Sequence, residues 1–164
     1  MPPRPDPVTP GQRSVWDFPR PPALVPVGEP VRVEFEGRVI AASASALQIE
    51  ETSHPPTVYI PPTDVDLGRL VATERESGCE WKGTARYLDV VVGAARSAEA
   101  AWTYSDPRRP YAALRDHLAF YPGRVGACWI GDERVTPQPG GFYGGWITSR
   151  VAGPFKGEPG TWGW

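Results

Sequence analysis

Within five residues, Cys79-Glu80-Trp81-Lys82-Gly83 places a thiol, a carboxylate, an indole and an amine side by side. Lys82 can act as a ligand-anchoring cation, or as an amine nucleophile if burial lowers its pKa. Its plain alternative is a surface lysine on the outer face of a strand. Read as one strand, Gly78 to Tyr87 sets Cys79, Trp81, Gly83, Ala85 and Tyr87 on one face, and Lys82, Thr84 and Arg86 on the other. Gly83 then leaves a hollow between aromatics, which a neighbouring side chain or a ligand can enter. Cys79 reads as a small buried hydrophobe, since no pattern places His54 or His117 beside it as a base.

A second set of groups precedes a kink, in Glu50-Glu51-Thr52-Ser53-His54-Pro55-Pro56. Glu50 or Glu51 can serve as a general base or as the counter-ion of Lys82, with Glu51 the preferred partner. A solvated strand end is the ordinary alternative. His54 reads as a turn residue hydrogen-bonded to backbone. Tyr59, Trp81, Trp102 and Tyr104, with Tyr87, either fill a core or line a concave site, because aromatic rings combine large apolar area with a polar edge.

Composition narrows the class. The chain has 164 residues and a net charge of -2, enough for one domain with a real core and without the clustered basic charge of a nucleic-acid footprint. No apolar run approaches a membrane span, and the first ten residues lack the features of a signal peptide, so the expectation is a cytoplasmic protein. Two cysteines and two histidines do not make a structural metal site, and neither a metal nor a cofactor is expected. With 21 Pro, 18 Gly and 7 Trp, short elements, ordered turns and an aromatic core follow.

These groups must be positioned by the following elements. Residues 1–30 hold ten prolines and form a Pro-rich arm, disordered over Met1 to Gln12 and docked over Ser14 to Pro22. Residues 31–136 form a β domain. Val31, Val33 and Phe35 alternate with Arg32, Glu34 and Glu36, and Gly37 turns the chain into a hairpin with Arg38 to Ala42. Leu47 to Glu51 and the segment from Thr57 are further strands, and Thr63 or Asp64 caps a short turn ended by Gly68. Leu70 to Glu76 and Glu80 to Val92 pair around Ser77-Gly78, and Ala98 to Tyr104 follows. Tyr111, Leu114 and Leu118 have helical spacing and predict one short helix. A hairpin around Gly131-Asp132 closes the domain. Residues 137–164 form a Gly- and aromatic-rich tail, ordered and packed on the body near Trp16 and Phe18.

Five motifs in order resemble a bacterial and fungal family called domain of unknown function 427, which also carries a nucleotidyltransferase-like label. They are Thr52-Ser53-His54-Pro55-Pro56, Cys79-Glu80-Trp81-Lys82-Gly83, Ala101-Trp102-Thr103-Tyr104, Phe120-Tyr121-Pro122-Gly123 and the run from Gln138 to Trp146. The likeness runs from Ser14 to the C-terminus, and the arm and tail resemble the actinobacterial form. It implies a small all-β fold of two antiparallel sheets meeting like a tent, similar to β-tent domains that carry structural zinc or an aromatic cage. No Cys-x-x-Cys pair is present, so the zinc is not carried over. Nucleotidyl transfer needs carboxylates for metal ions and donors for the phosphates. Asp64-Val65-Asp66 stands without a glycine-rich phosphate loop, which argues against that activity.

The expected function is a small-molecule-binding domain whose pocket draws on Tyr59, Trp81, Lys82, Trp102 and Tyr104, with Glu51 as acidic partner. A monomer or weak homodimer suffices for this. One competing class is an enzyme using Lys82 with Glu50 or Glu51 in acid-base or imine chemistry; another is a protein-interaction module built on the arm and tail aromatics.

Overall fold

Alternation along Val31–Phe35 works as a half-buried strand should: Val31, Val33 and Phe35 are buried and Arg32 is exposed. Through the Glu36-Gly37 turn it pairs with Arg38–Ser43, and on its other side with Ala127–Ile130, which pairs in turn with Glu133–Arg134. That completes one four-stranded antiparallel sheet. The computed structural model, which describes residues 3–164, is all-β.

A second four-stranded antiparallel sheet runs in the order Leu118–Phe120, Ala95–Thr103, Gly83–Val92, Leu70–Cys79. Added to the expected pair is a third, three-stranded sheet of Ala23–Pro26, Leu47–Glu50 and Thr57–Tyr59. Ile60 and Leu118 exchange two backbone hydrogen bonds of 2.8 Å, which stitch the third sheet to the second. This seam brings the rings of Thr57–Tyr59 and Ala95–Thr103 together. A mainly aliphatic core containing Val33, Ile40 and Val58, with Phe120 and Trp146 among them, fills the middle. Beside it lies a separate cluster of rings, Tyr59, Tyr87, Trp102, Tyr104, Tyr111 and Tyr121.

Several expectations need correction. Gly78 to Tyr87 is not one strand: Cys79 pairs with Gly83, so Glu80, Trp81 and Lys82 form the connecting turn of a hairpin. Ser77 and Gly78 lie within the ladder. Gly83 has φ +114°, and a Cβ there would meet the Asp106 carbonyl at 3.3 Å, so both conformation and space call for glycine. The stretch from Tyr111 to Leu118 is not an α-helix. Arg109–Leu114 makes 3-10 turns with a kink at Tyr111, and Leu118 opens a strand paired with Thr103. Tyr111, Leu114 and Leu118 are all buried, so the periodicity reported burial correctly. So short a segment cannot pay for helix nucleation against a strand partner.

Neither Thr63 nor Asp64 caps a helix; two 3-10 turns, Pro62–Asp64 and Leu67–Arg69, occur without side-chain caps, and Gly68 lies inside the second. The Asp64 carboxylate instead accepts a hydrogen bond from Ser43 Oγ at 2.6 Å. In the arm, Ser14 caps the turn Val15–Asp17, Val15 and Phe18 are buried, and Ala23–Pro26 forms an edge strand, where proline is tolerated. Of the segment expected to be disordered, Met1 and Pro2 lie outside the described residues. Pro3 to Gln12 has a defined course, because the Asp6 N–H donates to the Gly153 carbonyl at 2.8 Å.

The tail packs on the arm as expected. Arg13–Ser14 pairs in parallel with Val151–Ala152, Trp16 Nε1 donates to the Pro154 carbonyl at 3.0 Å, and Trp16 meets Trp164 edge-on at 5.4 Å. Among the described residues no helix is long and apolar enough to cross a membrane.

Candidate ligand pocket

Where the ring cluster reaches the hairpin turn, a cavity of about 290 Å3 opens. Tyr59, Trp81, Lys82, Trp102, Tyr104 and Glu51 all line it. The first ring comes from Thr57–Tyr59 and the third from Ala95–Thr103, whose register sets Trp102 opposite Tyr87 and Ala119. Tyr59 and Trp102 meet edge-on with centroids 6.2 Å apart, and the Trp102 Nε1–H points at the Tyr59 hydroxyl at 3.4 Å. Tyr121 packs on Trp102 at 4.7 Å. Burial drives the Tyr104 hydroxyl far above the usual range, so it stays a neutral donor.

Lys82 enters from the turn. Its carbonyl accepts the Arg108 N–H at 2.8 Å, which fixes the backbone, and its Nζ lies 6.0 Å from the Tyr104 ring centroid. Among the described residues it has neither an ion pair nor a side-chain hydrogen bond. Burial lowers its pKa, but Tyr59, Cys79, Glu51 and Tyr111 outweigh that, and the net shift is upward. The amine is therefore charged at neutral pH, contrary to the lowered pKa that a nucleophilic role requires.

The two glutamates part company where the strand Leu47–Glu50 ends, Glu50 being its last residue and Glu51 the first beyond it. Glu51 lines the cavity, with Oε2 3.5 Å from Arg20 and 3.7 Å from His54 Nε2. Glu50 does not approach Lys82. It is buried beneath Arg13, which donates to its two oxygens at 2.8 and 2.9 Å, and Gln48 Nε2 adds a third bond at 2.8 Å. This group borders a different cavity, together with Phe18 and Trp146.

His54 is both a turn residue and a pocket residue. Its N–H donates to the Glu51 carbonyl at 3.0 Å, while its ring lines the cavity and meets Tyr143 edge-on at 4.8 Å. Burial first, then the charges of Lys156, Lys82 and Arg20, lower its pKa to about 3, so the ring is neutral. Gln138 Nε2 faces Nδ1 at 3.4 Å, which makes Nδ1 the acceptor and leaves a proton on Nε2, toward Glu51. Nδ1 is thereby engaged, Nε2 faces Glu51 at 3.7 Å without a hydrogen bond, and neither contact involves Cys79. That cysteine is half-buried at the end of its strand and lines the cavity, rather than being sealed in a core. Cys128, in contrast, is buried, and desolvation raises its thiol pKa.

The tail supplies lining residues that local pattern did not reveal: Phe142, Tyr143, Gly144 and Lys156. The glycines around Phe142-Tyr143 were the available signal, and one of them is needed for space. A Cβ on Gly144 would collide with the Trp102 ring. Nothing near Lys156 in the sequence marked it. Its Nζ stands 5.6 Å from the Tyr143 ring and 3.4 Å from the Trp164 carbonyl.

The cavity thus offers two ammonium groups, Lys82 and Lys156, two carboxylates, Glu51 and Glu80, tyrosine hydroxyls and a neutral imidazole within aromatic walls. No group of three or more His, Cys, Asp or Glu that could hold a metal ion occurs among the described residues. Asp64 and Asp66 engage Ser43 and Arg69 and are not part of the cavity.

No curated protein matches this chain. Residues 23–131 match a family model described as a domain of unknown function, DUF427. The matched segment takes in the hairpin turn, His54 and the rings of the second sheet, and it ends before the tail. Covering about two thirds of the chain, the match makes this protein a member of the DUF427 family.

Proposed function

We propose that the protein binds a small molecule that joins an anionic group to an apolar body, with Lys82 as its anchor. The observation that carries this reading is a charged lysine that lines an aromatic cavity and, among the described residues, makes neither an ion pair nor a side-chain hydrogen bond. Glu51, on the wall of the same cavity, is already shared with Arg20. A ligand carboxylate would supply the missing partner, the rings would cover its apolar part, and Lys156 would add a second cation from the tail. At about 290 Å3 the cavity sits at the small end of ligand sites. The upward shift at Lys82 argues against imine chemistry, which needs the free amine. We place such a protein in the cytoplasm, as a monomer or weak homodimer without nucleic-acid partners, in keeping with its charge balance.

Calorimetric titration with benzoate, phenylacetate and their neutral amides tests the reading. The acids bind and the amides do not, and Lys82→Met weakens the acids about 10- to 100-fold, the worth of a hydrogen bond to a charged group. Equal binding of acid and amide, or binding unchanged in Lys82→Met, would sink it. A protein-interaction role draws instead on Phe142 and Trp162, which are 58% and 59% exposed. That role predicts that Trp162→Ser, which lies outside the cavity lining, abolishes a partner contact while the acids still bind.

A further inference from the structure

On the outer side of the Glu80–Lys82 turn lies a second depression, of about 760 Å3. Pro21, Pro22, Leu24, Pro110 and Tyr111 form its apolar lining, with Arg108 and Arg109 completing it. Trp81 and Glu80 line both this groove and the Lys82 cavity, so the indole is the partition between them. The shared wall is held from the groove side. The Arg108 N–H donates to the Lys82 carbonyl at 2.8 Å, and the Asp106 carbonyl packs against Gly83 too closely for a side chain to intervene. Tyr111, whose hydroxyl donates to the Pro22 carbonyl at 2.7 Å, ties the arm to the groove floor and lies close enough to feel the Lys82 charge.

The inner cavity has room for an anionic head and a short apolar body, while the apolar groove on the other side of Trp81 has room for a longer segment. We infer that cavity and groove form one site for an elongated amphipathic carboxylate. The carboxylate pairs with Lys82, and an unbranched apolar tail passes over Trp81 onto Pro22, Leu24 and Pro110. This rests on the Lys82-anchored pocket proposed above, and it makes Leu24 and Pro110 length-selecting residues that never touch the anionic head.

The test is calorimetric titration of the full chain with butanoate, hexanoate, octanoate and decanoate below their micelle concentrations. Wild type, Lys82→Met, Leu24→Asn and Pro110→Ser are compared, each with an unliganded melting temperature near that of wild type. Affinity of the wild type rises about twofold to fourfold for each added methylene. Leu24→Asn and Pro110→Ser each flatten that rise and keep the butanoate affinity, whereas Lys82→Met weakens every acid by the same factor. Lys82-dependent binding that is flat with chain length overturns the groove and leaves the anchored pocket standing. A length dependence that survives both groove variants puts the tail elsewhere and overturns the inference. Absence of Lys82-dependent binding at every length overturns both readings.

Discussion

Two cavities of equal size, each about 290 Å3, hold charge in opposite ways. In one, Glu50 receives a bidentate pair from Arg13 and a third bond from Gln48. In the other, Lys82 stands 6.0 Å from the Tyr104 ring centroid and, among the described residues, makes no ion pair or side-chain hydrogen bond. A charge whose hydrogen bonds are all made inside the protein holds elements together: here Arg13 ties the arm to the third sheet. A charge left without a partner is stable only because part of its cavity is open to water, and it leaves its binding capacity for something outside the chain. Glu50, fully buried, is thereby part of the architecture, whereas the half-buried Lys82 belongs to the proposed site.

That contrast can be broken at its strongest point. Arg13→Ala leaves Glu50 buried and unpaired. It should cost about 2 to 4 kcal/mol in denaturant unfolding, less than a fully buried pair because the Arg13 side chain is 59% exposed. Binding of carboxylates at Lys82 should survive. Lys82→Met should do the reverse, losing about 1.5 to 3 kcal/mol of binding while unfolding stability stays within about 1 kcal/mol of wild type. If Lys82→Met destabilised the fold as much as Arg13→Ala, the distinction between the two charges would fail.

Gly144→Ala tests the wall between tail and rings. The added methyl runs into Trp102, and the overpacking should cost about 1 to 3 kcal/mol of stability and shift the near-ultraviolet circular dichroism of the aromatic cluster. An unchanged spectrum would mean that the tail does not shape the cavity.

His54 sharpens the comparison by pH. Its folded pKa, about 3, lies below the unfolded value near 6.5, so the unfolded chain binds the extra proton first. Its contribution is complete above pH 6.5 and is lost as pH falls toward 3. Between pH 6 and pH 5 this amounts to about 1 kcal/mol, so His54→Gln should lose less stability over that interval than wild type by about that amount. Identical slopes in the two proteins would show that the ring is not held neutral.

Much of this was legible locally. Alternation along Val31–Phe35 and the Glu36-Gly37 turn identified a hairpin, because a strand with one buried face writes a two-residue period into the sequence. The density of rings and charge around Trp81, Lys82 and Trp102 picked out side chains that do converge on one cavity. The helix expected from Tyr111 to Leu118 failed for a definite reason: burial imposed the spacing, but Leu118 found a strand partner in Thr103.

By itself, then, the sequence determined the all-β character, the hairpin turns at Glu36-Gly37 and Gly131-Asp132, and the residue types available for a site. These depend on backbone preference and on apolar pattern over a few neighbouring residues. Only the tertiary structure decided that Glu51 faces the rings and Glu50 faces Arg13, that Lys82 sits on a turn, and that Tyr143 and Lys156 reach His54 from the far end of the chain. Those outcomes are set by contacts between segments dozens of residues apart, where strand register and packing choose the face, and no local period encodes that choice.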